Sequence, residues 1–102
     1  MMDVERLYLE TRYSCEALRI RYKRSGNEKL SVGLKEAMSL LCSELRAILA
    51  KEGKDKVSVP FPVSLLELDT NQLYRKCVES AKQLYMVQNS MAAEKILELL
   101  GS

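Results

Sequence analysis

The run DVERLYLETRYSCEALRIRYKRSG, Asp3–Gly26, decides how this chain folds. Nothing in it breaks a helix before Gly26. Asp3 and Glu5 lie where a helix N-terminus favours negative charge, and Arg21, Lys23 and Arg24 lie where its C-terminus favours positive charge. Gly26 can take the left-handed conformation that closes such a helix. The pattern predicts a helix over about residues 3–24.

At ~100° per residue this helix carries two apolar stripes. Val4, Leu7, Thr11, Cys15, Leu18 and Tyr22 gather on one face, and Leu9, Tyr13 and Ile20 on nearly the opposite one. Between them run two polar rails. Glu5, Arg12, Glu16, Arg19 and Lys23 form one, and Asp3, Arg6, Glu10, Arg21 and Arg24 the other. A surface helix normally shows one stripe; a second needs a second covering surface. That cover can come from the same chain, with helix 1 lying between two others or the later connector folded over its back. It can also come from another molecule. Three helical segments seldom enclose a long helix on every side, so the expectation is an intermolecular contact. Its residues are Leu9, Tyr13 and Ile20, extended by Phe61, with Arg12, Arg21 and Arg24 on the rim setting register.

Outward from this helix, Leu30, Leu34, Ala37, Leu41, Leu45 and Ile48 recur at a helical period, with Lys35, Glu36, Ser39, Ser43 and Arg46 opposite. This predicts a one-faced amphipathic helix over about 28–52, started by the capping-box spacing Ser25-Gly-Asn-Glu28 and closed by Gly53. KDKVSVPFPVS, residues 54–64, alternates Val57, Val59, Phe61 and Val63 with polar residues and proline. Two prolines withhold backbone donors, and no other segment offers a strand to pair with, so residues 53–63 read as an extended connector that lays Val59, Phe61 and Val63 across the bundle end. Ser64-Leu-Leu-Glu67 and Asp69-Thr-Asn-Gln72 both have capping-box spacing. A helical segment over about 65–100 follows. Its apolar face runs through Leu73, Cys77, Ala81, Leu84 and Met91, then shifts round at Ala93, Ile96, Leu97 and Leu100. Gln88-Asn-Ser90 favours caps over helix interiors, so a break there into a hairpin is expected. The fold class predicted is all-α: a single domain of three main helices, the third open to a break near Asn89.

Composition agrees. With 47% hydrophobic and 29% charged residues the chain is too apolar for intrinsic disorder. A net charge of +2 gives no whole-molecule pull toward a polyanion, leaving that role to a local cluster. Arg19, Arg21, Lys23 and Arg24, with Tyr22 among them, form one and support an alternative reading as a nucleic-acid-binding accessory protein. The sign alternation along Glu5, Arg12, Glu16, Arg19 and Lys23 instead suits a solvated helix face.

Chemistry is sparsely represented. The chain lacks histidine, the commonest general base and metal ligand, and contains no P-loop, GxGxxG, HExxH or GxSxG pattern. Cys15, Cys42 and Cys77 form no CxxC, and as three buried thiols they are expected to be reduced in a cytoplasmic protein. No apolar run is long enough for a membrane span. The reading is a non-catalytic interaction or assembly protein, requiring no cofactor or metal and partnered by itself or another protein. A small-ligand pocket lined by Tyr74, Tyr85 and Met91 is a third class.

Overall fold

Each α-helix begins where a side-chain oxygen meets one of its orphan N–H groups. The structure is a computed structural model that describes residues 3–54 and 60–101. The helices are α1 (Val4–Arg24), α2 (Glu28–Lys51), α3 (Thr70–Gln88) and α4 (Met91–Leu99), with a 3-10 turn, Val63–Glu67, ahead of α3. Asp3 caps α1 by accepting from Glu5 N (3.1 Å), and Asp69 caps α3 with the full reciprocal box, accepting from Gln72 N (2.8 Å) while Gln72 Oε1 accepts from Asp69 N (2.9 Å). Two capping expectations fail. Asn27, not Ser25, caps α2, accepting from Leu30 N at 3.3 Å, while Ser25 ends α1 and donates to Tyr22 O at 3.1 Å. Ser64 makes no box, because the 3-10 turn starts after Pro62 without a side-chain cap.

Among the described residues the count of three main helices becomes four. Asn89 adopts the left-handed conformation (φ 52°, ψ 40°), and Ser90 restarts the chain by accepting from Ala93 N at 3.1 Å. Asn is among the few residues other than glycine that tolerate this conformation. The reversal folds α4 back along α3, and Tyr74 Oη near the start of α3 donates to Leu100 O at 2.8 Å.

Cross-helix contacts give the direction of every element. Tyr8 meets Glu44, and Lys54, just past α2, meets Glu5, so α2 is antiparallel to α1. Cys15 meets Cys77 and Tyr22 lies beside Tyr74, so α3 is antiparallel to α1 as well. Glu36 pairs with Lys95 and Glu44 accepts from Ala92 N, making α4 antiparallel to α2. The main contacts are α1 with α2 and α3, and α4 with α2 and α3, a four-cornered bundle with antiparallel neighbours. Because α2 and α3 point the same way, no tight turn can join them. The chain between them must return along the bundle, which explains a proline-containing connector in an otherwise helical chain. The core at the centre includes Leu18, Leu34, Leu41, Leu73, Leu84 and Ile96. Gly33 lets α4 end close to α2: a Cβ there would sit 2.6 Å from a methyl carbon of Leu99.

The expectation of three reduced thiols is corrected. Cys15 and Cys77 form a disulfide between α1 and α3, their Cα atoms 5.2 Å apart, and Cys42 is the free, half-buried cysteine. Antiparallel packing brings two positions 62 residues apart to one level of the seam, a coincidence that residue spacing could not reveal. The pairing removes the ground on which reduced cysteines and a cytoplasmic location were expected. Among the described residues no helix is long and apolar enough to cross a membrane.

Candidate functional site

The back of α1 carries the residues that sequence pattern marked for an interface. Leu9 is only 5% exposed and so lies inside the chain. Tyr13 is half-buried beneath the connector, its ring edge-on to Phe61 with centroids 5.5 Å apart and an interplanar angle of 73°. Farther along, Leu65 is buried, and Arg21 Nη2 donates to Leu66 O at 3.1 Å. Ile20 is half-buried, and Arg12 and Arg24 are exposed. The second stripe is therefore covered in part by the chain itself, with Phe61 of the connector packed on Tyr13. The connector turns Val63 and Leu66 outward as it crosses. Val59, expected with Phe61 and Val63 to lie across the bundle end, is outside the described residues.

Between α1, the connector and α3 is a cleft of about 630 Å³, with Leu9, Tyr13, Pro60, Pro62 and Leu65 among its apolar walls. On its charged rim Arg6 pairs with Glu10 (3.5 Å) and Glu5 with Lys54 (3.1 Å).

The basic end of α1 divides. Arg19 forms a two-point bond with Glu16, Nη2 at 2.7 Å and Nε at 3.1 Å, which holds its guanidinium more firmly protonated than usual. Arg21 is committed to the Leu66 carbonyl. Tyr22 is half-buried, and burial pushes its hydroxyl pKa up. Lys23 and Arg24 are exposed. Five residues that the sequence groups as one phosphate-facing cluster thus have four different surroundings.

A polar cluster that sequence reasoning missed lies at the N-terminus of α4. Glu44 Oε1 accepts from Ser90 Oγ (2.5 Å) and Tyr8 Oη (3.0 Å), and Oε2 accepts from Ala92 N (2.9 Å). One carboxylate from α2 therefore ties α1 to the positive end of α4. Burial, then the donated hydrogen bond and the negative charge of Glu44, push the Tyr8 pKa up to about 12. The available signal was Glu44 itself, a carboxylate flanked along the helix by Leu41, Leu45 and Ile48.

The α3–α4 corner is the opposite case. Tyr85 and Val87 are exposed, Met86 is 82% exposed and Met91 71%. No charged residue occurs between Lys82 and Glu94. Helical spacing placed Met91 on the buried stripe of Leu73 and Leu84, but the break at Asn89 turns it outward. The suggested pocket of Tyr74, Tyr85 and Met91 does not assemble: Tyr74 reaches the Leu100 carbonyl at the far end of α3, ~16 Å of helix from Tyr85. No protein-family model, no curated protein and no solved structure matches the chain.

Proposed function

We propose that this is a non-catalytic interaction or assembly protein whose contact surface is the α3–α4 corner and whose partner is a second copy of the chain. The observation that carries this reading is the exposure of Tyr85, Met86, Val87 and Met91 within one uncharged stretch. Burying apolar surface contributes ~25 cal/mol per Å², and flexible methionine side chains adapt readily to an opposing surface. In a two-fold contact the same patch meets itself, and Lys82 and Glu94, one turn from Met86 and from Met91, bring opposite charges to its edge. Ile20, Arg12 and Arg24 remain reachable on α1, whereas Leu9 and Tyr13 are occupied within the chain.

Sedimentation velocity over a concentration series tests this. The expected result is a weight-average mass that rises with concentration, and a Met86→Glu/Met91→Glu double variant that stays monomeric with an unchanged helical spectrum. A wild-type chain that is monomeric at every concentration overturns it.

A further inference from the structure

We propose that Cys15–Cys77 is a redox lock on the α1–α3 seam, set while the seam is open and retained once it closes. Both cysteines have zero solvent exposure. So do the residues one turn to either side: Thr11 and Leu18 on α1, Leu73 and Ala81 on α3. The Cα separation of 5.2 Å suits a disulfide without backbone movement.

Closing the lock requires an oxidant, here a low-molecular-weight disulfide. One cysteine thiolate attacks a sulfur of that disulfide and expels a thiolate, leaving a mixed disulfide on the protein. The second cysteine thiolate attacks the protein-side sulfur, expels the other thiolate and forms the Cys15–Cys77 bond. The two cysteines lose two electrons and two protons, and the oxidant is reduced to two thiols. Reduction by a thiol runs the same steps backwards.

Each direction passes through a mixed disulfide with an extra group on one sulfur. The sealed seam leaves no room for that group, so exchange proceeds only when α1 and α3 separate. The crosslink therefore records the redox conditions under which the chain folded. Cys42, half-buried on α2, stands outside this gate.

The experiment uses the full chain carrying Cys42→Ser, oxidised by refolding from urea with oxidised glutathione. It is then exposed to reduced glutathione, and samples quenched at intervals with excess N-ethylmaleimide are followed by intact mass. In buffer, no alkyl group is expected over hours; in urea, two are expected within minutes. Reduction in urea followed by refolding should lower the melting temperature by more than ~10 °C, since the crosslink closes a long loop. Equal alkylation rates in buffer and in urea overturn the gate, and failure to form the crosslink during oxidative refolding overturns the lock. Should the reduced chain not refold, the rates measured on the oxidised protein still decide between these outcomes.

Discussion

The back of α1 and the α3–α4 corner resemble one another in sequence and differ in fate. Each presents several large apolar side chains close together. At the back of α1, Leu9 is buried within the chain and Tyr13 packs edge-on against Phe61 of the connector. At the corner, Met86 and Met91 face solvent. The difference arises from topology, not from hydrophobicity. Parallel α2 and α3 force a connector along the length of the bundle, and it crosses α1 on its way. The hairpin between α3 and α4 turns within two residues and leaves nothing over the corner. An apolar stripe says that cover is needed; where the chain travels says whether the chain supplies it.

The strongest test of this contrast sets Leu9→Ala against Ile20→Ala in urea unfolding. Truncating buried Leu9 should cost about 2–4 kcal/mol, whereas half-buried Ile20 on the same stripe should cost about 1 kcal/mol. Equal, small losses would return Leu9 to an uncovered face.

Next in size is the carboxylate that anchors α4. Glu44→Gln exchanges a charged acceptor for a neutral one and should lower stability by about 1.5–3 kcal/mol. Calorimetry would register it. Tyr8 supplies a pH signature for the same cluster. Its pKa, raised to about 12 from an unfolded value near 10, means that the folded state holds a proton which the unfolded state has lost between those values. The contribution of Tyr8 is thus fully present below pH 10 and declines as pH rises toward 12. Tyr8→Phe should flatten that part of the stability profile. An unchanged slope would separate Tyr8 from Glu44.

A smaller effect belongs to the connector. In a double-mutant cycle, Tyr13→Leu and Phe61→Leu should show a coupling of about 0.5–1.5 kcal/mol from their edge-to-face contact. Strict additivity would mean that the connector does not hold its place on α1. The smallest effect is at the corner, where Met86→Glu should change stability by under ~0.5 kcal/mol because no packed contact is lost. A larger loss would mean that the corner belongs to the core.

Much of the fold was legible from residue types. Asp3, Gly26, Asp69 and Ser90 mark helix ends because their side chains or backbone freedom satisfy local geometry. The stripes of α2 and α3 follow the helical period for the same local reason. The candidate site was less legible. Arg19 and Arg21 read as free cations, yet one is held by Glu16 and the other by the Leu66 carbonyl. The first partner lies within a turn and could have been anticipated, while the second lies 45 residues away. Glu44, Tyr8 and Ser90 meet from three helices, and spacing within one helix carries no information about such meetings.

By itself, the sequence determined that this chain is helical, where most helices begin and end, and that α1 must be covered on two faces. These follow from capping, propensity and period, which act over a few residues. Only the tertiary structure decided that Phe61 of the connector packs on Tyr13, that Cys15 finds Cys77, and that the corner stays bare. Those outcomes depend on which elements run parallel. That direction is selected by packing the whole core at once.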